Sequence, residues 1–269
     1  MGLSCLIDPT APVVIDASTV INLNATARGP RILKAIPNPF IITDVVQGEL
    51  LEDRRNGRND GQLLAELIAA DLISVAKLDD LTESHFEDLV IGRGDATLED
   101  GEAATIAYGV EKGAITLIDE RKATRICGER YPRLTVGNSF DVFTHPAVLA
   151  ALGNAAVADA VFDALRFARM RVPPYLLKWV VDLIGAERAA MCECLPRAFR
   201  TKDGNLSMRR KLTERDDFPD SAGGGIALPK SQFGMTDDAV DLEAQRSCAN
   251  PSADNIEQKW ENADYVGRL

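Results

Sequence analysis

The sequence predicts an α/β fold built on a mainly parallel sheet. Between residues 12 and 136, short apolar runs of strand length alternate with longer stretches that have helical spacing. This alternation is typical of parallel strands joined by helices that cover the sheet. The first apolar run, VVI at 13–15, is β-branched and continuous, as expected for a strand buried on both faces.

Five strands and six helices are predicted in this part of the chain. The strands are VVI (13–15), FIIT (40–43), LISVA (72–76), AITLI (114–118) and RLTV (133–136). The helices are expected near residues 18–27, 44–56, 61–70, 82–92, 101–112 and 120–130. Thr43 and Asp100 stand where N-cap residues belong, because their side-chain oxygens can accept hydrogen bonds from the first helical turn. Gly113 stands where a glycine commonly ends a helix.

The chain changes character after the first domain, which we place at residues 1–145. Two stretches with helical spacing, separated by Pro173 and Pro174, predict a helical extension over residues 146–199. Apolar residues then become sparse, and residues 200–269 are expected to form a poorly ordered tail. The tail is split in charge: residues 200–215 hold six Lys or Arg and two acids, whereas residues 216–269 hold four and eleven.

Composition limits the classes of function. The net charge of −11 opposes a general polyanion-binding surface, so binding to nucleic acid would need local basic patches or metal ions. The five cysteines form no CxxC pair and do not indicate a disulfide framework. We expect a cytoplasmic protein with no membrane contact, because the sequence has neither a signal-peptide pattern nor an uninterrupted apolar run of membrane-spanning length.

Four acids occupy comparable positions next to the predicted strands. Asp16 and Asp119 follow the first and fourth strands, whereas Glu49 and Glu102 lie on the helices after the second strand and before the fourth. Ligand sites of open parallel sheets form at the carboxyl ends of strands, where the strand order reverses. Converging carboxylates repel one another unless a cation neutralises them, and oxygen ligands select hard ions such as Mg²⁺ or Mn²⁺.

Each of these acids also has an ordinary structural interpretation. Asp16 and Asp119 could cap the helices that follow them. Glu49 could be a solvated residue on a helix surface, and Glu102 could interact favourably with the positive end of its helix dipole. Taken singly, none of the four would indicate a function.

The order and spacing of the four acids resemble the PIN-domain nuclease family. VIDASTVINL is similar to the opening motif of that family, with Asp16 as the metal-binding acid and Ser18 or Thr19 as the hydroxyl residue that supports it. ITDVVQGELL is similar to the motif that carries the second acid, here Glu49. The segment from LEDGEAATIAYG to ITLIDERKATRI resembles a bacterial subgroup and provides Glu102 and Asp119. LTVGNSFDVF resembles the final strand and turn, where Gly-Thr is more usual than Gly137-Asn138.

The resemblance, over roughly residues 12–140, implies a three-layer α/β/α sandwich with a five-stranded sheet of order 3-2-1-4-5. It also implies hydrolysis of RNA phosphodiester bonds with Mg²⁺ or Mn²⁺ held by the four acids. Many bacterial members of the family are toxins of toxin–antitoxin pairs and form dimers. The resemblance therefore implies an RNA substrate, an antitoxin protein and a homodimer as partners.

An acidic protein that binds RNA needs local cations. The candidates are three clusters: Arg54, Arg55 and Arg58; Arg121, Lys122 and Arg125; and Arg209, Arg210 and Lys211. The second is best placed because it follows Asp119, although all three could be solvated helix faces. Aromatic residues make up only 6% of the chain, which disfavours a platform of several stacked bases.

Two other functions remain open at this level. The first is a catalytically idle PIN-like module that binds a partner protein or RNA through the C-terminal extension. The second is phosphoryl transfer through an aspartyl-phosphate at Asp16, which ranks last because DAST lacks a second acid two residues after the nucleophile.

Overall fold

The computed structural model describes residues 4–52, 59–91 and 97–200. Its sheet has five parallel strands in the order β3-β2-β1-β4-β5. The strands are β1 Val13–Ile15, β2 Phe40–Thr43, β3 Ser74–Ala76, β4 Ile115–Leu117 and β5 Val136–Gly137. The predicted basic clusters Arg54, Arg55, Arg58 and Arg209, Arg210, Lys211, together with the tail from residue 201 onward, lie outside the described residues.

Helices connect the strands and continue beyond the sheet. The first seven are α1 Ala17–Ala25, α2 Gly29–Ala35, α3 Asp44–Glu52, α4 Asp60–Ala69, α5 Asp80–Val90, α6 Asp100–Lys112 and α7 Arg121–Arg130. The others are α8 Ser139–Phe143, α9 Pro146–Asp163, α10 Leu177–Ile184, α11 Ala186–Ala190 and α12 Arg197–Arg200. A π-helical turn, Ala164–Ala168, follows α9, and a 3-10 turn, Pro174–Leu176, precedes α10.

The predicted strand order is confirmed, and it creates a switch point at β1. Val13 of β1 is in register with Phe40 of β2 on one side and with Ile115 of β4 on the other. The chain therefore runs outward from β1 in one direction through β2 and β3, and in the opposite direction through β4 and β5. Loops diverge where this order reverses, which leaves a crevice at the carboxyl ends of β1 and β4.

Apolar side chains are buried on both sides of the sheet, which gives the predicted three layers. The larger core joins Ile15, Ile42 and Phe143 to side chains of the extension such as Val180. A second core joins α5, α6 and α7 through residues such as Leu89, Ile106 and Ile126. Side chains of a strand alternate between its two faces, and all three residues of β1 are buried. The central strand is therefore covered on both faces.

Several local predictions were confirmed and others need correction. The Val46 amide donates to Thr43 Oγ1 at 3.3 Å, and Gly113 ends α6 with φ +64°. Asp100 is not the N-cap of α6 but its first residue, and Glu99 precedes it without a capping side-chain hydrogen bond. Helix α2 was not predicted, although Pro30 in its first turn is a common helix-start residue.

The extension packs on the α/β part of the chain as well as on itself. Arg28, which precedes α2, forms ion pairs with Asp163 at 3.2 Å and Asp159 at 3.8 Å on α9. Arg188 of α11 also binds Asp159, at 2.6 Å. The four described cysteines are free, as expected.

One described helical stretch, Pro146–Phe167, meets the length and composition criteria for a membrane span, with a mean hydropathy of 1.6. This is weak evidence, because core helices of soluble proteins meet the same criteria. Gly153 interrupts the stretch with φ +81°, and 33% of its most apolar window is buried inside the protein. The expected cytoplasmic location stays a prediction.

Candidate active site

Asp16 stands at the carboxyl end of β1 and begins helix α1. Its amide donates to the Leu117 carbonyl of β4 at 3.3 Å, which fixes the residue at the boundary between the two central strands. Its carboxylate accepts hydrogen bonds from the Thr19 amide at 2.8 Å and from Ser18 Oγ at 2.7 Å. Asp16 therefore does cap α1, but the side chain is only 3% exposed at the switch point. Burying a charged carboxylate costs free energy. Capping a helix does not require this burial, so capping alone does not explain the position of Asp16.

Asp119 stands in the corresponding position after β4, and the structure corrects its interpretation as a helix cap. Glu120 caps α7 instead, by accepting hydrogen bonds from the amides of Lys122 and Ala123. The Asp119 carboxylate is therefore available for other contacts. It accepts from Asn22 Nδ2 at 2.7 Å, from Ser139 Oγ at 2.5 Å and from the Ser139 amide at 2.9 Å.

Asn22 and Ser139 are site residues that the sequence analysis missed. Both are buried, and Asn22 Nδ2 also donates to Ser139 Oγ at 3.0 Å. Asn22 comes from α1 and Ser139 from the first turn of α8, so the two residues hold Asp119 from two separate elements. A signal was present for each: a polar residue in the apolar stretch after Asp16, and a serine three residues after the last predicted strand.

Glu49 reaches the site from α3 by way of a glycine on α6. Its Oε1 accepts a hydrogen bond from the Gly101 amide at 2.8 Å. A Cβ atom on Gly101 would lie 2.8 Å from Cδ of Glu49 and 2.9 Å from Oε1, which is closer than real Cβ atoms approach other groups. Gly101 therefore lets the Glu49 carboxylate contact the backbone at the start of α6. A carboxylate that is held this closely against the backbone of another helix is not simply a solvated glutamate on a helix surface.

The four acids are linked electrostatically through Asp16. Burial and, to a smaller extent, the charge of Asp16 together raise the pKa of Asp119 to about 7. Burial also raises the pKa of Glu102 to about 7, with added repulsion from Glu120, Glu99 and Asp16. The pKa of Glu49 is raised by burial, against the hydrogen bond from Gly101, and the charge of Asp16 contributes to it.

Asp16 itself is the most buried of the four acids. Burial raises the pKa of its carboxyl group, and the hydrogen bonds from Ser18 and Thr19 oppose the shift. The folded chain thus holds four carboxyl groups whose negative forms are disfavoured, and a cation placed among them would reverse the effect. Perturbed pKa values in a crevice are typical of functional sites.

The predicted RNA-binding cations lie at the start of α7, directly after Asp119 and Glu120. Arg121 is exposed, whereas Nη1 of Arg125 donates to both carboxylate oxygens of Glu129, at 2.9 Å to each. Another cation reaches the same place from the extension. Arg171 Nη1 lies 3.3 Å from Glu120 Oε1.

The donor set fits a hard divalent cation in its chemistry. Four carboxylates provide oxygen ligands only, and the two histidine side chains of the chain are used elsewhere: His145 caps α9, and His85 packs edge-on against Tyr131. Within residues 4–52, 59–91 and 97–200, however, no three Asp, Glu, His or Cys side chains are arranged as a ready ligand set. An ion bound here would be held by one or two carboxylates and water, as Mg²⁺ commonly is.

Comparison with known proteins identifies the class to which this fold and this arrangement of acids belong. A family model described as a PIN domain matches residues 12–186. The chain belongs to the PIN-domain family, as its motifs indicated, and it has a nuclease-type fold. The match includes α9 and α10, so it extends beyond the sheet into the helical extension. No curated protein and no solved structure matches the chain.

Proposed function

We propose that the protein is a ribonuclease that hydrolyses RNA phosphodiester bonds with Mg²⁺ or Mn²⁺. The observation that carries this proposal is the placement of Asp16 and Asp119 at the carboxyl ends of the two adjacent central strands of a PIN-domain sheet, where the charge of Asp16 also acts on Glu49 and Glu102. Repulsion among buried carboxylates destabilises the folded chain. A divalent cation bound among the carboxylates would remove this repulsion, and the same cation would serve in catalysis.

Asp16 and Asp119 would bind the ion, since both end central strands and are fixed by hydrogen bonds from their surroundings. Ser18 donates to Asp16, and Ser139 and Asn22 donate to Asp119, so that the carboxylates are held in place. Glu49 and Glu102, on α3 and α6, would complete the site directly or through bound water. Outer residues of this kind usually matter for metal affinity because they orient the ligands.

A bound divalent ion would lower the pKa of a water molecule and neutralise charge on the phosphate. The protein's own contribution is positioning and proton handling. Without a bound cation the pKa of Glu102 is raised to about 7, so this carboxyl group is partly protonated near neutral pH and would release its proton when a cation binds beside it. Arg121, Lys122 and Arg125 would attract the RNA backbone to the crevice.

The test is cleavage of single-stranded RNA by the full chain with Mn²⁺, Mg²⁺ or EDTA, alongside Asp16→Asn. We expect cleavage only with a divalent ion, and a loss of at least about 100-fold in the variant, since changes to residues that merely support a metal ligand already cost 10–100-fold. Glu87→Gln, which neutralises an exposed acid on α5, is the control and should cleave like the wild type. Equal cleavage by Asp16→Asn and wild type would refute the assigned site.

The biological setting is also a proposal. Many bacterial PIN proteins are toxins, so this chain would act in the cytoplasm and be inhibited by an antitoxin protein, and it would form a homodimer. Expression in a bacterial host tests the toxin role: wild type should arrest growth, whereas Asp16→Asn should not. Light scattering of the purified protein would test the dimer.

One observation favours a second function, a PIN-like module without catalysis. Among the described residues no three acids form a ready metal-ligand set, and the extension packs closely on the domain. Such a module would bind a partner protein or RNA through the extension. It would bind RNA equally well with and without Mn²⁺, would not cleave it, and would keep its cellular effect in Asp16→Asn.

A further inference from the structure

The segment between the π-helical turn and α10, residues 169–176, lies along the carboxyl edge of the sheet and contacts it at two points. Arg171 binds Glu120, the residue after Asp119, at 3.3 Å. Four residues later, Tyr175 Oη accepts a hydrogen bond from Asn138 Nδ2 at 3.3 Å. Asn138 precedes Ser139, whose side chain donates to Asp119. This linking segment therefore reaches both sides of Asp119.

The linking segment holds Arg171 and Tyr175 in place through their neighbours. Met170 and Val172 are buried in the larger core, so Arg171 between them is directed outward from an anchored backbone. Pro173 and Pro174 restrict the backbone before Tyr175. Tyr175 is 75% exposed, although a large aromatic ring usually packs against other residues.

A cavity of about 720 Å³ lies beside this segment. Its walls include Tyr175, Trp179, Asn138 and Lys178, and the acids Asp141 and Asp182 also line it. Trp179 is fixed by an edge-on contact with Phe140, at 6.2 Å between ring centroids. The volume is within the range of small-ligand sites, and the lining combines aromatic faces with polar groups that can bind a base edge. Asn138 belongs both to this cavity and to the turn that holds Asp119.

We propose that Arg171, Tyr175 and this cavity form a subsite for one unpaired nucleotide of the RNA strand, next to the phosphate cleaved at the acids. The base stacks on Tyr175, and Arg171 binds the adjoining phosphate. This proposal rests on the proposed ribonuclease function and adds to it a binding position for one nucleotide beside the acids. Stacking on an aromatic side chain requires an unpaired base, because bases in a duplex are already stacked on each other.

Charge supports the role of Arg171. The crevice is rich in carboxylates, and an RNA phosphate approaching it needs a cation at its edge. The pair of Arg171 with Glu120 is 40% and 42% exposed, and exposed ion pairs are weak enough for a phosphate to compete. A guanidinium also has five N–H donors, so it can contact a phosphate while it keeps one bond to Glu120.

The sparse aromatic content is compatible with this subsite. A platform for several bases needs several exposed rings, whereas the proposed subsite needs one. The expected contribution is that of a single stacked base, which alanine substitution commonly reveals as a loss of about tenfold in affinity.

The experiment measures binding of a fluorescent single-stranded oligoadenylate of about twelve nucleotides to the full chain in EDTA, which withholds the divalent ion. Tyr175→Ala should weaken binding about tenfold, and Tyr175→Trp should retain it because the ring can still stack. Arg171→Ala should weaken binding and reduce its dependence on salt. Double-stranded RNA should bind equally to the wild type and to Tyr175→Ala.

Arg169→Ala is the matched control. It removes the same charge from the same segment, but Arg169 is 72% exposed and pairs with Glu193 of the extension at 3.5 Å. It should bind the oligoadenylate like the wild type. Equal loss in Arg169→Ala and Arg171→Ala would mean that general charge, and not this subsite, attracts the RNA, and would overturn the role of Arg171.

The subsite and the ribonuclease proposal can fail separately. If wild type cleaves RNA but Tyr175→Ala binds and cleaves it equally well, the subsite is refuted and the ribonuclease stands. If wild type does not cleave but binding still depends on Tyr175, the subsite stands in a protein that binds RNA without catalysis. If wild type neither binds nor cleaves single-stranded RNA, both proposals are refuted.

Discussion

Gly101 donates its amide hydrogen to Glu49 at 2.8 Å, and no other residue type fits at this position without moving the carboxylate. A Cβ atom there would lie 2.8 Å from Cδ of Glu49. The obstructing group is the end of a flexible side chain, so it can move without disturbing the backbone. A small side chain at position 101 would thus displace Glu49 while the fold is kept.

We predict that Gly101→Ala folds normally but loses activity. Displacement of Glu49 removes one acid from the site around Asp16. We expect activity to fall about 10–100-fold, because changes to residues that support a metal ligand commonly reduce activity or metal affinity by that factor. Cleavage assays and Mn²⁺ titration would measure the loss, and circular dichroism would check the fold.

Gly48→Ala is the matched control for this prediction. Gly48 lies beside Glu49 on α3, and nothing lies within 4 Å of a Cβ atom built there. This variant should keep wild-type activity and be more stable by up to about 1 kcal/mol, because alanine favours helix more than glycine does. Activity in Gly101→Ala equal to that in Gly48→Ala would contradict a role for the Glu49 position.

Stability should depend on pH through the buried carboxyl groups. Burial raises the pKa values of Asp119 and Glu102 to about 7, from ordinary values of 3.8 and 4.5. Between the unfolded and folded pKa values, the native state binds more protons than the unfolded state, so stability falls as pH rises through this window. Without divalent ions, the melting temperature should therefore decrease between about pH 4 and pH 7.

Asp119→Asn tests the source of this decrease. The variant removes one buried negative charge next to Asp16, so near pH 7.5 it should melt higher than the wild type, by about 2–4 °C for each kcal/mol of repulsion removed. Near pH 4 the two proteins should melt at similar temperatures, because Asp119 is protonated there. A lower melting temperature for the variant at both pH values would contradict this prediction. It would show that the hydrogen bonds to Asp119 affect the stability of the folded protein more than the repulsion from Asp16 does.

Divalent ions should stabilise the protein in a pH-dependent way. Mn²⁺ should raise the melting temperature near pH 7.5 more than near pH 5, because ligand carboxylates must be deprotonated to bind metal. The difference should disappear in Asp16→Asn and persist in Glu87→Gln. An equal effect of Mn²⁺ on wild type and Asp16→Asn would place the ion elsewhere on the surface.

Ser139→Ala should reduce activity without unfolding the chain. It removes the hydroxyl that donates to Asp119 at 2.5 Å but keeps the amide that donates at 2.9 Å. We expect a loss of about 10–100-fold in cleavage or Mn²⁺ affinity, typical of residues that orient a metal ligand. Ser74→Ala, which removes a hydroxyl on the edge strand β3, should leave activity unchanged.

The sheet could be predicted from the sequence because its strands are short, apolar and separated by helices with clear boundaries. The predicted segment FIIT coincides with β2, and the predicted order places β1 beside β4 as observed. The prediction of Asp100 as an N-cap failed because local signals compete: Asp100 and Glu99 are adjacent acids, and either could precede α6. Asp119 and Glu120 present the same ambiguity before α7, and the sequence left the cap of that helix open.

The sequence by itself determined the α/β class, the strand order through its resemblance to a family, and the positions of Asp16, Glu49, Glu102 and Asp119 on their elements. These follow from local periodicity and short motifs. Only the tertiary structure decided what surrounds these acids. Asn22 and Ser139 donate hydrogen bonds to Asp119, and Gly101 donates one to Glu49. Arg171 forms an ion pair with Glu120, next to Asp119. These contacts join residues 20 to 97 positions apart in the chain. They depend on how the layers pack together, and a local sequence pattern does not contain that information.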